Sequence, residues 1–372
     1  MRRVSIGRFE FDVHPLEQQT LEAAFDRLYK SVMIEEAEPE LDSEFRTAAS
    51  QYFDRYVGSP DAPAAHDHYF YGFSPLWAYF RGKGRLDWAE KIWQIALDPA
   101  REWEDAHSGQ QVDKGVPYYF WAIAALLRGS IDSGYVLAHQ AAEEDSRTSS
   151  GIKYPDTPAY ALVSLNYDKV NQAFKGWVDE QATFFRLFIS DYCNVYGRPF
   201  TIDDIRDKFL RNPPNHEVVF LLTHTLARLR EMSEIPVGAK QNQFVGQLQL
   251  NLLFDLLLVI DNAIKQKNLS KWQFVDHGTF LLDHAGHALP QLGEINAQFK
   301  GNFGSCMTDA LDCKLMINGR ILDRLQCDVA LAYGIRNRGA HKVESDSVIW
   351  NEFDRIERSV FRTFCATVDY LY

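Results

Sequence analysis

Apolar residues recur at helical spacing along almost the whole chain, and this periodicity argues against a β-rich or α/β fold before anything else is weighed. Strand-like alternation occurs only in "RRVSIGRFEFDV", which predicts a short N-terminal hairpin or extended arm. The expected class is therefore all-α. "HPLEQQTLEAAFDRLYKSVMIEEAE" and "LDSEFRTAASQYFDRYVG" read as amphipathic helices, the second closed by Gly58 and Pro60. Phe73 to Pro99 and Tyr118 to Asp145 then share a layout. Each has an apolar helix, a glycine turn (Gly84, Gly129), and a second helix whose small residues face back on the first. A long helical stretch runs from Ala159 to Gly197, and another helix starts with Thr201 as N-cap and ends at Pro213 and Pro214. "NHEVVFLLTHTLARLREM" is helical again. Ser233 to Gln243, "SEIPVGAKQNQ", mixes Pro, Gly and polar residues and is the expected boundary between a region 1–238 and a region 239–372. Helices are expected near 243–267, 271–288, 317–338 and 348–371, with loops at 289–305 and 342–347.

A chain of 372 residues suits two or three domains of roughly 100–200 residues. Its most apolar run, Leu248 to Ile260, is interrupted by Gln249, Asn251 and Asp255. The run falls short of the ~20 residues of a membrane span, so it reads as a buried helix and no membrane association is expected. No apolar segment follows Arg2 and Arg3, which argues against a signal peptide. Cys193, Cys306, Cys313, Cys327 and Cys365 are odd in number and lack C-x-x-C spacing. That pattern fits a reducing cytoplasm rather than a disulfide framework or a structural zinc site. The net charge of −12 would repel a polyanion, but from Lys240 onward there are 14 Lys/Arg against 15 Asp/Glu, leaving 25 against 36 in the first 239 residues. The C-terminal part is near neutral and free to carry a local basic patch.

"AYGIRNRGAHKV", Ala332 to Val343, places Arg336, Asn337, Arg338, His341 and Lys342 at the end of an apolar helix that also holds Gly334 and Gly339. These residue types suit proton transfer and the gripping of phosphate oxygens. Histidine, with a pKa near ~6.5, transfers protons at neutral pH. Arginine stays charged and offers a planar fork to phosphate oxygens, and asparagine orients a partner. Asn337 and His341 are four apart and share a face, whereas Arg336 and His341 are five apart, about 140° around an ideal helix. Gly339 would let the helix loosen or end between them. The plainer alternative is a helix end capped by Arg336 and His341 and paired with Glu344 or Asp346.

Arg336-Asn337-Arg338-Gly339-Ala340-His341 resembles the R-x4–6-H signature of the HEPN superfamily, small all-α bundles of which many are ribonucleases in toxin, CRISPR and antiviral systems. The resemblance covers roughly the last 130 residues. It implies a metal-independent endoribonuclease that needs no cofactor, with Arg336, Asn337 and His341 as catalytic residues. It also implies a homodimer whose two motifs line one composite cleft, and products bearing a 2′,3′-cyclic phosphate and a 5′-hydroxyl. Arg338 and Lys342 would add RNA-phosphate contacts. The two glycine-turn segments resemble tetratricopeptide (TPR) hairpins, through Gly84, Ala89, Trp93 and Ala96 in the first and Gly129, Gly134, Ala138 and Ala141 in the second. Their 45-residue spacing exceeds that family's 34. The TPR-like region would sense or scaffold, binding a regulatory protein or ligand. The rival expectation is a noncatalytic helical-repeat adaptor whose HEPN-like bundle dimerises or docks RNA.

Other constellations compete. Asp276, His277, Asp283, His284 and His287 are metal-ligand types, but no H-E-x-x-H appears, and a polar helix face or support for the cleft is the favoured reading. "HDHYFYGFSPLWAYF", with His66 and His68, offers stacking rings for bases or, more simply, core. "GSCMTD" and "GKGRLD" lack the full phosphate-loop pattern, and no G-x-S-x-G occurs.

Overall fold

Alternation at the N-terminus produces an antiparallel hairpin in which β1 (Arg2–Ile6) pairs with β2 (Phe9–Val13), Ile6 opposite Phe9. Val4, Ile6 and Val13 are its buried residues. Nearly everything after it is helical. The computed structural model describes all residues except 7–8, 36–37, 149–151, 212–215, 236–241, 269–272, 290–291 and 340–346; the side chains at 34–35, 173 and 338–339 are outside the description as well.

The described chain forms two compact units, Met1–Leu162 with Lys169–Phe174, and Val163–Asp168 with Lys175–Tyr372. The first holds the hairpin, α1 (Gln19–Glu35), α2 (Ser43–Tyr56), α3 (Ala62–Tyr71), α4 (Ser74–Gly82), α5 (Leu86–Ala106), α6 (Gly115–Leu127) and α7 (Ile131–Thr148), with α8 (Pro158–Val163) ending at the division. Asp42 caps α2 by accepting the Phe45 N–H at 2.6 Å. The two glycine-turn segments form helical hairpins, α4–α5 and α6–α7, with Gly84 and Gly129 at φ 73° and 87°. Small residues let the partners close up: a methyl at Gly134 would stand 2.4 Å from Leu126 Cγ. Trp93 is fully buried and stacks on Phe120 at 5.3 Å. The second helix of the first hairpin, α5, runs on through Pro99 to Ala106. Proline gives up one helical hydrogen bond, but burial of Ala100 and Trp103 keeps the helix going.

The second unit contains α9 (Lys175–Tyr196), α10 (Ile202–Ile205), α11 (His216–Ser233), α12 (Gln243–Lys267), α13 (Phe274–His284), α14 (Ile295–Gly301) and α15 (Phe303–Leu311). A hairpin of β3 (Met316–Ile317) and β4 (Arg320–Ile321) follows, then α16 (Arg324–Gly339), α17 (Ser347–Asn351) and α18 (Phe353–Leu371). Thr201 opens α10 with a reciprocal capping box to Asp204, and Arg206–Leu210 continue it as a π-helical turn. The stretch from Ala159 to Gly197 is not one helix: Leu165 takes a left-handed φ of 53° and breaks it. Within the expected loop 289–305, of which 290–291 lie outside the described residues, Ile295–Gly301 and the start of Phe303–Leu311 are helical, because Ile295, Phe299 and Phe303 turn inward. The helix expected from 317 begins at Arg324, since Asn318 and Gly319, at φ 48° and 79°, make a tight hairpin turn.

The units divide well before the composition-based boundary at 238/239. Aromatic and polar contacts tie α9 to the C-terminal helix, and composition does not register them. Phe188 stacks on Phe361 at 3.9 Å, and Tyr192 donates to Asp369 at 2.8 Å. Residues 236–241 of the expected linker lie outside the described residues. Helix α12, 25 residues long, is the one described helix long and apolar enough to cross a membrane; 56% of its most apolar window is buried within the protein. Leu250, Leu253, Leu256, Leu257, Val259 and Ile260 cover several of its faces at once, the mark of a core helix.

Candidate functional site

Helix α16 is buried on all sides from Leu325 to Ile335, then carries two half-buried polar residues, Arg336 and Asn337. Its start is anchored by a polar network. Asp328 accepts from Arg362 Nε and Nη2, both at 2.7 Å, from Ser359 Oγ at 2.6 Å and from Tyr196 OH at 2.5 Å. Arg362 also reaches Asp191 at 2.8 Å, so α9, α16 and α18 meet at one fixed point. Desolvation is the largest single influence and works against the Arg362 charge, but the hydrogen bonds and charge of Asp328, the hydrogen bond to Asp191 and Tyr196 together outweigh it and raise the pKa.

Aromatic rings from three helices surround the last turns of α16. Phe274 of α13 stacks on Tyr333 at 6.2 Å. Phe299 of α14 lies so close to Gly334 that a methyl there would stand 2.5 Å from its ring, which explains why a glycine sits in the middle of this helix. Phe254 of α12 lies under Arg336, with the guanidinium carbon 5.0 Å from the ring centroid.

Two buried donors at this end have no acceptor among the described residues: Arg336 Nε and Asn337 Nδ2. Among the described residues no carboxylate pairs with Arg336. A buried donor without a partner costs about 1–3 kcal/mol, so the pair calls for a ligand or a further protein group that accepts hydrogen bonds. Of the expected site the structure describes the side chains of Arg336 and Asn337, consecutive residues of α16. His341 and Lys342, and with them Glu344 and Asp346, lie outside the described residues; Arg338 belongs to α16 but its side chain is not described.

The histidines of the α13 region take separate partners. Buried His277 bonds Asp261 through Nδ1 at 2.5 Å, His284 bonds the Phe280 carbonyl at 2.8 Å, and His287 bonds Asp323 at 2.8 Å. Among the described residues no group of three His, Cys, Asp or Glu side chains is placed to hold a metal ion. The aromatic cluster around His66 is core, with Tyr69, Phe70, Phe73 and Leu76 fully buried or nearly so. His66 accepts the Asp113 N–H at 3.0 Å, and burial lowers its pKa to about 4.

A cluster that sequence reasoning missed lies beside His66. Asp67 on α3, Asp113 just before α6 and Asp145 on α7 converge, and Asp113 accepts from Thr148 Oγ1 and the Gly115 N–H. Nearby Lys114 is committed to Glu104 at 2.5 Å, with Glu144 at 3.7 Å. Burial, then Asp113, raises the Asp67 carboxyl to about 7; burial, then Asp113 and Asp67, raises Asp145 to about 7. Both folded values exceed the unfolded one, so the stabilising protonation is complete at acid pH and lost as pH climbs through about 7. Asp145→Asn is therefore expected to raise the melting temperature at pH 8 by about 3–6 °C, from about 1–2 kcal/mol of relieved repulsion and desolvation. The gain should shrink at pH 5. A melt that shifts equally at both pH values would refute the assignment.

The fold is that of an all-α protein, and at the last described side chains of α16 the half-buried Arg336 has no carboxylate partner among the described residues. No family model matches the chain, and no curated protein or solved structure matches it.

Proposed function

We propose that this chain is a metal-independent endoribonuclease of the HEPN type, acting through Arg336 and Asn337 of α16 and through His341, which follows in the R-N-x-x-A-H sequence. The observation that carries this reading is the state of Arg336 and Asn337: a guanidinium without a carboxylate partner among the described residues, and two buried donors awaiting an acceptor. A phosphodiester supplies acceptors and negative charge together. In the proposed reaction the ribose 2′-oxygen attacks phosphorus while the bond to the 5′-oxygen breaks, giving a 2′,3′-cyclic phosphate and a 5′-hydroxyl. One proton leaves the 2′-hydroxyl and one reaches the departing oxygen. His341 serves these transfers, and a homodimer would supply one histidine for each. Arg336 stabilises the charge gathering on the phosphorane oxygens, Asn337 orients, and Arg338 and Lys342 hold the flanking phosphates. The helical hairpins of the first unit, which carry the TPR-like residues, would receive a regulatory protein or ligand. A setting in cytoplasmic antiviral defence or toxin regulation follows from the resemblance.

The test is incubation of the purified chain with end-labelled single-stranded RNA in excess EDTA. Cleavage that leaves cyclic-phosphate ends is the expected result. A folded dimer that cuts no RNA, with or without chelator, would favour a noncatalytic adaptor.

A further inference from the structure

Helix α12 presents Phe254 and Asp255 side by side, and Asp255 looks the natural partner for an arginine. The arginine takes the phenylalanine instead. Consecutive helix residues point about 100° apart, so α12 turns the two side chains toward different neighbours. Phe254 meets Arg336 of α16 at 5.0 Å. Asp255 is raised above its ordinary pKa by burial and drawn back down by His224 of α11.

We propose that Phe254 is a positioning residue for Arg336, holding the guanidinium through its ring face so that the charge reaches a phosphate oxygen unneutralised. This deepens the nuclease reading, and rests on it, by naming what sets the arginine. A carboxylate holder would fix the side chain equally well, but it would cancel much of the charge and occupy the N–H groups that must meet the phosphate. The aromatic face orients a cation while accepting no conventional hydrogen bond from its five donors. The unpartnered Nε agrees with this division of labour, since the contact that holds the side chain leaves its donors unspent. Ile335, Leu331 and Val329 are fully buried, so the backbone beneath Arg336 is fixed and the remaining freedom is in its own side-chain torsions. Those are the torsions the ring contact restrains.

The test uses Phe254→Leu, which keeps apolar bulk and removes the π-face, beside Phe254→Trp, which restores a face, and Arg336→Ala. Binding is read with a single-stranded oligodeoxynucleotide, which lacks the 2′-hydroxyl and is not cut, and cleavage is read with RNA of the same sequence. Phe254→Leu is expected to weaken oligodeoxynucleotide binding and lower kcat/KM by about threefold to thirtyfold, with Phe254→Trp recovering most of both. Equal losses in the leucine and tryptophan variants, tracking their melting temperatures, would make the contact packing and overturn the proposal. Binding that Arg336→Ala leaves unchanged, or no binding by the parent chain, would overturn it as well. If RNA is not cut but oligodeoxynucleotide affinity depends on both Arg336 and the Phe254 ring, the nuclease reading fails and the positioning role stands.

Discussion

An Arg362→Met protein is expected to melt about 8–15 °C below the parent chain, a loss of about 3–5 kcal/mol. The size follows from what the substitution leaves behind. Asp328 is 1% exposed and receives two of its four hydrogen bonds from the Arg362 fork, so removing the fork strands a carboxylate where water does not reach. Asp191 loses its 2.8 Å partner as well and, among the described residues, keeps Arg358 at 3.5 Å. Methionine replaces the aliphatic volume, so a large loss cannot be assigned to a cavity. Adding Asp328→Leu should return only part of the stability, because Asp191 stays charged and the Tyr196 hydroxyl loses its acceptor. Circular-dichroism melts of the single and double variants decide it. A single-variant loss below about 1 kcal/mol would mean that the network is solvated and that α16 is held by packing alone.

Local signals in the sequence were readable because their physics is local. The capping box Thr201–Asp204 and the alternation of Arg2–Ile6 with Phe9–Val13 each need only a few consecutive residues. The β3–β4 turn was just as local, since Asn318-Gly319 is a strong hairpin signal, yet the helical pattern around it absorbed the segment. In the interval 289–305, expected as a loop, the spacing of Ile295, Phe299 and Phe303 already traces a helical face. Gly301 and Asn302 still punctuate it, ending α14 before α15 begins at Phe303.

The same division runs through the sites. Arg336 and Asn337 could be singled out as candidates by residue type, and the structure adds that they follow eleven buried positions of one helix. Phe254 was not, since it sits 82 residues upstream of Arg336 and only the packing of α12 on α16 joins them. The Asp67–Asp113–Asp145 cluster was invisible for a similar reason: three separate elements of the first unit deliver one carboxylate each. No period or spacing encodes such meetings. They follow from which helix faces are apolar enough to close on one another, and the polar groups arrive together as a consequence.

Arg336→Ala should show the opposite balance to Arg362→Met, with RNA cleavage falling by about 10²–10³-fold and the melting temperature scarcely moving. Among the described residues Arg336 makes no hydrogen bond or ion pair, and its Nε is a buried donor with no acceptor. Removing it gives up one ring contact and also removes the cost of the orphan donor. The two terms oppose each other, so a net stability change within about 1 kcal/mol is expected. Arg336→Lys sharpens the argument. The ammonium keeps the charge but not the planar fork, and a loss of about 10-fold or more is expected if two phosphate oxygens are gripped together. Cleavage assays in EDTA, run beside melts of the same preparations, measure both quantities. An alanine variant that loses stability in proportion to its activity would place Arg336 with Arg362, among the residues that hold the fold. An alanine variant that keeps its stability and loses its cleavage shows a residue kept at a cost to folding for what it does to a substrate.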